Sequence, residues 1–220
     1  SKDAVDYIIP HQASRALPLV MDKLGVGKDK YLNIVSDYGN MVSVAVPFGL
    51  AYALDHGYVK EGDTIFIDTG SSCVNLVKYI GHVSCMIITN SLRVAYMAKD
   101  YPGLQLLMLP GSLRRETMSF VGLETVEQLR IYNIDQAFMA ATGVSLQKGM
   151  TNASAYEYNI KKEVLERSRI KNLMVDHSKF GKTALYTFGD FQDFDCLITD
   201  TCPPEDYVEM LGKNHVKLLY

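Results

Sequence analysis

GDTIFIDTGSSC, the stretch from Gly62 to Cys73, predicts a strand that turns directly into a helix. The residues from Thr64 to Ile67 are β-branched and aromatic, as in a buried strand, and Gly70 marks a turn behind them. We expect the helix to begin at Ser72 or Cys73. A strand end followed by a glycine turn and a helix start is the local geometry that phosphate-binding sites use.

Short apolar segments alternate with helical segments along the rest of the chain. This alternation favours an α/β fold, in which a mostly parallel sheet is flanked by helices. Before residue 60 the apolar spacing indicates helices at 17–24 and 42–56, and therefore a mainly helical N-terminal segment. Further strands are predicted at 86–89, 105–109, 136–141, 172–176 and 196–199, and helices at 91–99, 125–132 and 155–168.

Composition limits the classes of protein that this chain can join. Its 220 residues are 48% hydrophobic, which is ordinary for a globular protein, and its net charge is −3. That charge offers no general attraction for a polyanion, so DNA binding through this chain is disfavoured. The sequence has no apolar run near the roughly 20 residues of a membrane span and no signal-peptide pattern, so we expect a cytoplasmic protein without membrane contact.

The cysteines and histidines show no metal-site spacing. Cys73, Cys85, Cys196 and Cys202 form no CxxC pair and have no matched histidine, so we expect buried, reduced thiols and no zinc. Three scattered histidines are predicted to lie on the surface or in loops: His82, His177 and His215.

Six motifs in order make residues 63–220 resemble the sugar-sensing C-terminal domain of DeoR-family transcriptional regulators. The resemblance implies a ribose-phosphate isomerase or CoA-transferase-like α/β fold. It also implies a phosphorylated sugar or related small molecule as ligand, no cofactor, and a homo-oligomer. The motifs are GDTIFIDTGSSC, ITNSL (Ile88 to Leu92), LPGSLRRETMSFVG (Leu109 to Gly122), NIDQAFMAATGVSLQKGMT (Asn133 to Thr151), VDHSKFGK (Val175 to Lys182) and LITD (Leu197 to Asp200).

Residues 1–62 resemble a different family, the C-terminal end of ketoacyl-ACP synthase III, which has a thiolase fold. The resemblance implies that His11 and Asn40 match two residues that assist a nucleophilic cysteine in that family. The cysteine belongs to an upstream half that these residues do not include, so we predict no catalytic residue here. The two resemblances predict a division of the chain into domains 1–62 and 63–220. They also suggest a recombined or designed chimera. The motifs are IIPHQAS (Ile8 to Ser14), DKLGV (Asp22 to Val26), SDYGNMVSVAVPFGLAYAL (Ser36 to Leu54) and GYVKEGD (Gly57 to Asp63).

Asp68, Gly70, Ser71 and Ser72 are the first candidate ligand residues. Gly70 allows a close approach of the main chain, and the serine hydroxyls and the helix start can donate hydrogen bonds to a phosphate. The alternative is an ordinary helix cap beside a turn glycine.

Thr89 and Asn90 repeat this pattern after the next predicted strand, and Asn90 offers both a donor and an acceptor to a sugar hydroxyl. Helix capping alone would also explain them. Arg114 and Arg115 would clamp an anion or form a solvated surface pair. They follow Pro110-Gly111, where the DeoR family usually has two glycines.

Two later pairs complete the candidates. Glu157 and Lys161 are four residues apart on one helix face, which is typical of a surface ion pair, but the resemblance makes Lys161 a ligand residue. Asp176 and Lys179 would bind a polar ligand and its phosphate, or form an Asp-capped turn. Thr199-Asp200 is interpreted as a cap for the turn that follows.

These observations leave several functions open. The first is an effector-binding domain of a DeoR-type regulator that lacks a recognisable DNA-binding module. The second is a sugar-phosphate isomerase, with Asp68, Glu157 or Asp176 as the base. A chimera without selected activity is the third, and acyl condensation is disfavoured because Cys73 and Cys85 have no reason to meet His11.

Overall fold

The computed structural model describes residues 59–220, so His11, Asn40 and the helices expected at 17–24 and 42–56 lie outside the described residues. The described strands are β1 (Thr64–Ile67), β2 (Cys85–Thr89), β3 (Leu104–Met108), β4 (Ser112–Arg114), β5 (Ser119–Val121), β6 (Ile134–Met139), β7 (Gly143–Ser145), β8 (Gly149–Asn152), β9 (Ser168–Met174), β10 (Tyr186–Gly189), β11 (Cys196–Ile198) and β12 (Lys217–Leu219). The helices are α1 (Ser71–Val74), α2 (Leu76–Ile80), α3 (Leu92–Ala98), α4 (Leu123–Leu129), α5 (Ala155–Arg167) and α6 (Glu205–Lys213).

Seven strands form one parallel sheet in the order β12-β11-β9-β6-β1-β2-β3. This confirms the predicted α/β fold with a mostly parallel sheet. β2 and β3 extend the sheet on one side of β1. On the other side, β6 lies next to β1 and is followed by β9, β11 and β12. The point between β1 and β6 is therefore a topological switch, where open parallel sheets form a crevice beyond the carboxyl ends of the strands.

β1 lies in the interior of this sheet and is covered on both faces. Ile65, Phe66 and Ile67 are fully buried. Phe66 belongs to a core that includes residues of α4, α5 and α6, whereas Ile65 and Ile67 belong to a second core with residues of α1, α2 and α3. Because successive side chains of a strand point to opposite faces, three apolar residues in a row suit a strand that is buried on both sides.

Two small antiparallel sheets accompany the main sheet. β4 and β5 form a hairpin, and β7, β8 and β10 form a three-stranded sheet in the order β10-β8-β7. Sequence analysis predicted neither, because strands of three or four residues carry too few positions to show an alternation.

The start of the first helix also differs from the prediction. It begins at Ser71 and ends at Val74, and after Asn75 the chain continues as α2. Among the described residues, no helix is long and apolar enough to cross a membrane.

The hydroxyl group of Tyr207, in α6, contacts both β7 and the segment that follows β9. The Oη atom donates to the carbonyl of Val144 at 3.0 Å and accepts from the N–H of Gly181 at 2.8 Å. The ring packs edge-on against Phe180 with centroids 5.0 Å apart. This hydroxyl therefore fixes α6 against β7 and against the segment that follows β9.

We expect Tyr207→Phe to lower the free energy of unfolding by about 0.5–1.5 kcal/mol, because it removes two hydrogen bonds while the Gly181 N–H and the Val144 carbonyl remain bonded to each other. Urea titration monitored by circular dichroism measures the change. The control is Tyr96→Phe, which removes the hydroxyl of a tyrosine that is 72% exposed. Equal stabilities for the two variants would contradict the assignment.

Candidate functional site

A buried ion pair lies at the switch point between β1 and β6. Asp68 directly follows β1 and is 3% exposed, and Lys161 of α5 is 4% exposed. Lys161 Nζ is ion-paired with Asp68 Oδ2 and donates to the carbonyl oxygen of Ala140 at 2.8 Å. It also lies 5.1 Å from the centroid of the Phe188 ring. The ammonium group is thus held by a carboxylate, a carbonyl and an aromatic face.

The Asp68 carboxylate also connects the ends of the two strands. Oδ1 accepts from the N–H of Thr69 at 2.7 Å, and Oδ2 accepts from the N–H of Ala140 at 2.8 Å. The main-chain N–H of Asp68 in turn donates to Phe138 O at 3.0 Å. Both carboxylate oxygens of Asp68 therefore have hydrogen-bond partners in addition to the ion pair.

Gly70 permits the close approach of the loop after β1 to the loop after β6. A Cβ atom at Gly70 would lie 2.3 Å from the Cβ atom of Ala140, which excludes any larger residue without movement of the main chain. Ser71 is exposed at the start of α1, and Ser72 is half-buried behind it. The glycine therefore sets the shape of the turn that was predicted to bind phosphate.

A cleft of about 280 Å³ opens above the ion pair. Four predicted ligand residues line it: Asp68, Gly70, Ser71 and Lys161. Sequence analysis missed other members, among them Arg93, Glu116 and Thr142. Arg93 lies in the first turn of α3 beyond the end of β2, a position that could have been inferred from the predicted helix. The remaining lining residues are Thr69, Thr117, Ala140, Ala141 and Glu157.

Thr89 and Asn90 lie outside this lining and make contacts within the fold. Thr89 Oγ1 donates to Ile67 O at 2.6 Å, which joins the ends of β2 and β1. Asn90 Nδ2 donates to Phe120 O at 3.0 Å, and its buried Oδ1 accepts no hydrogen bond from residues 59–220. The α3 cap is Ser91, whose side chain accepts from the Val94 N–H.

Asp176 and Lys179 also lie outside the lining. Asp176 Oδ1 accepts from the Ser178 N–H at 2.9 Å, and Lys179 Nζ lies 3.9 Å from Asp176 Oδ2. Burial raises the pKa of Asp176, but hydrogen bonds from Ser178 and the charges of Lys179 and His177 outweigh it, so the pKa lies below its usual value. The capped turn that was the alternative interpretation is present.

Asp200, which was predicted to cap the turn that follows it, binds the main chain and the side chain of His177. Its Oδ1 accepts from the His177 N–H, and its Oδ2 lies 2.6 Å from His177 Nδ1. The hydrogen bond and charge of Asp200 raise the pKa of His177. His177 is exposed, as predicted.

Glu157 does not form the predicted surface ion pair with Lys161. The lysine turns into the core toward Asp68, whereas Glu157 Oε2 accepts from Asn152 Nδ2 at 3.4 Å and faces the cleft. Glu157 and Lys161 therefore have separate partners, because the ammonium group of Lys161 binds the buried carboxylate of Asp68.

Three of the four thiols are buried, and Cys202 is exposed, contrary to prediction. Burial, followed by the charge of Asp68, raises the pKa of Cys73. Burial also raises the pKa of Cys85 to about 11 and that of Cys196 to about 12. Such thiols remain protonated near neutral pH and are poor nucleophiles. Residues 59–220 hold no cluster of three or more metal-binding side chains.

Two family descriptions match this chain. The DeoR C terminal sensor domain matches residues 53–201, and the C terminal region of 3-oxoacyl-[acyl-carrier-protein] synthase III matches residues 1–97. The predicted junction near residue 63 falls inside the overlap of the two matches. Both predicted resemblances are confirmed, and the double match fits the suspected chimera.

The relatives named among curated proteins are transcriptional regulators. The HTH-type transcriptional regulator IolR of Bacillus subtilis is 32% identical over 160 residues, which cover 72% of this chain and 64% of that protein. The HTH-type transcriptional repressor GlcR of the same organism is 29% identical over 212 residues, covering 96% of this chain and 78% of that protein. The chain thus spans less than two thirds of the first of these relatives.

Among solved structures, the ribose 5-phosphate isomerase from Plasmodium falciparum is similar with a TM-score of 0.44 and 18% identity. The match covers 65% of this chain and 54% of that chain.

We expect Lys161→Met and Asp68→Asn each to lower the free energy of unfolding. The loss should be about 3–5 kcal/mol for Lys161→Met, because this variant leaves the buried carboxylate of Asp68 without its counter-ion. The double variant should lose less than the sum of the two single losses, since it removes both charges. Urea denaturation of the four proteins measures this coupling. Additive losses would show that the two side chains do not interact.

The His177–Asp200 contact should make stability depend on pH. Since the pKa of His177 is raised in the folded state, its stabilisation is complete below the unfolded value of about 6.5 and is lost as the pH rises through the folded value. The difference in melting temperature between the parent chain and His177→Gln should therefore be larger at about pH 5.5 than at about pH 8.5. His82→Gln, at another exposed histidine, is the control. A difference that grows toward alkaline pH would contradict this assignment.

Proposed function

We propose that this chain, which belongs to the family of DeoR C-terminal sensor domains, binds a phosphorylated sugar in the cleft between β1 and β6. Occupancy of the cleft would then be passed to the DNA-binding part of a transcriptional regulator. One observation supports this proposal most strongly. Asp68, Gly70 and Ser71, from the turn after β1, meet Lys161, which lies 93 positions after Asp68, around one cleft at the switch point of the sheet.

The cleft offers the two kinds of group that a sugar phosphate needs. Arg93 and the hydroxyl groups of Thr69 and Ser71 supply donors for a phosphate, beside a glycine turn that lets the main chain approach. Glu116 and Glu157 supply acceptors for sugar hydroxyl groups. A purely anionic ligand would meet repulsion from these carboxylates, whereas a sugar monophosphate uses both sets.

Lys161 acts in this proposal as a fixed positive charge beneath the ligand. Its ammonium group already binds Asp68 and Ala140. It therefore contributes a positive electrostatic potential and one remaining N–H donor to the cleft. Asp176 and Lys179 follow β9, the neighbour of β6 in the sheet, and lie outside the lining of the cleft. We propose direct ligand contact for the residues that line the cleft, with Ser72, Thr89, Asn90, Asp176 and Lys179 shaping the surrounding loops.

The properties of the whole regulator are part of the same proposal. We propose that this chain forms a homo-oligomer, that it does not itself bind DNA, and that it acts in the cytoplasm. The regulator relatives support the last of these, because a transcriptional regulator works where the chromosome lies. We also propose the division into residues 1–62 and 63–220.

A second candidate function is sugar-phosphate isomerisation, and Glu157 is the observation that favours it. Its carboxylate faces the cleft and is held there by Asn152, at a position from which it can remove a proton next to a carbonyl group. Asp68 is less suited to this role because Lys161 and two N–H groups already occupy it. A sensor and an isomerase would bind the same ligands and differ in turnover.

The decisive experiment is a thermal-shift screen of the full chain against phosphorylated sugars, with the unphosphorylated sugars as controls. A ligand at 100 times its dissociation constant should stabilise the fold by about 2.7 kcal/mol. Ser71→Ala and Arg93→Ala should weaken binding, whereas Arg169→Ala, an exposed arginine paired with Asp135, should not.

Three results would change the proposal. No stabilisation by any phosphorylated sugar would overturn it and favour a chimera without selected activity. Loss of binding in Lys179→Ala would extend the site to the turn after β9. Aldose–ketose turnover that disappears in Glu157→Gln would establish the isomerase instead.

A further inference from the structure

We infer that the effector cleft continues into a second compartment, in which Arg114 recognises the hydroxylated end of an extended sugar monophosphate. This inference rests on the proposed function and adds a specificity residue and a size class of ligand to it. It starts from a cleft of about 790 Å³ that borders the one above the ion pair. Glu116, Thr117, Thr142 and Glu157 line both, so the two spaces are neighbours with a shared wall.

The volumes favour a ligand that occupies both compartments. Binding cavities for small molecules measure about 300–1,000 Å³, and the inner cleft alone, at about 280 Å³, is slightly smaller than that range. A three-carbon phosphate would leave the outer compartment filled only with water. A longer sugar phosphate would reach from the glycine turn at Gly70 to the β4–β5 hairpin.

Arg114 is held in a position to meet that longer ligand. Its Nη1 donates to Ser154 Oγ at 2.8 Å, and its Nε lies 3.8 Å from Glu116 Oε2. A guanidinium group has five N–H donors in a fixed plane, so donors remain for a ligand after these contacts. Arg115, its neighbour in sequence, is exposed and lies outside the lining of both compartments.

The charges of the outer compartment decide the chemistry of the distal end. Glu116, Glu124 and Glu157 contribute three carboxylates against the single guanidinium of Arg114. A second phosphate there would be repelled, whereas hydroxyl groups can donate to the carboxylates and accept from Arg114. The structure therefore favours a neutral, hydroxylated distal end over a bisphosphate.

The hairpin that carries Arg114 is fixed to the main sheet. Met118 O accepts from the Leu92 N–H at 2.9 Å, and Asn90 O accepts from the Phe120 N–H at 2.8 Å. Pro110 O, before β4, accepts from Thr125 Oγ1 at 2.6 Å. Since α3 carries Arg93 in its first turn, the same contacts set the distance between the two arginines.

The test is calorimetric titration of the full chain with glycerol 3-phosphate, glucose 6-phosphate and fructose 1,6-bisphosphate. The parent chain should bind the six-carbon monophosphate about tenfold or more tightly than the three-carbon one. Arg114→Ala should remove this advantage and leave the affinity for glycerol 3-phosphate unchanged. Arg114→Lys should restore part of it, and Arg115→Ala should behave as the parent chain does.

Each of the other possible results would contradict one part of this inference. If glycerol 3-phosphate binds but the longer ligand gains nothing, the inference fails and the proposed function stands. Equal losses for all ligands in Arg114→Ala would make Arg114 a structural residue. Tightest binding of the bisphosphate would refute the neutral distal end. If none of the three ligands binds, the inference fails, and the thermal-shift screen against the other phosphorylated sugars decides the proposed function.

Discussion

The buried pair of Asp68 and Lys161 is the constraint on which the rest of this site depends. Removing two charges from water costs several kcal/mol for each ion, and the attraction between them repays this only when their other hydrogen-bonding groups are also satisfied. Here the main-chain N–H groups of Thr69 and Ala140 and the carbonyl of Ala140 complete the arrangement. The pair can therefore exist only if β1, β6 and α5 take their observed positions together.

The order of the strands explains why this pair lies beside a cleft. The chain builds the sheet outward from β1 in one direction, then returns to build outward from β6 in the other. The connections after β1 and β6 consequently leave the sheet on opposite faces, and a gap opens between them. Gly70 lies so close to Ala140 that no side chain fits between them, and the ion pair, Arg93 and Glu157 all line the cleft.

Sequence analysis predicted six of the seven strands of the main sheet, all except β12, and the details of the site only in part. Continuous apolar runs such as Thr64 to Ile67 identify interior strands, and Asp68 and Gly70 follow from their place at a strand end. Lys161 is different, because its spacing from Glu157 indicates a surface ion pair, and only the family resemblance made it a ligand candidate. Its true partner lies 93 positions earlier in the chain, a distance that no local pattern reports. Thr142 was missed for the same reason, whereas Arg93 lies in the first turn of a predicted helix, beyond a strand end, and could have been inferred.

The β4–β5 hairpin has a consequence for how such a domain can change during evolution. The inner cleft is tied to the folding core, because any substitution of Asp68 or Lys161 disturbs the sheet itself. The hairpin is a separate antiparallel unit whose Arg114 and Leu113 are not part of either buried core. On the proposed function, substitutions there would alter which sugar is accepted while the residues proposed for the phosphate end stay the same. Selectivity would then be separable from stability, and new effectors would be acquired through one short segment.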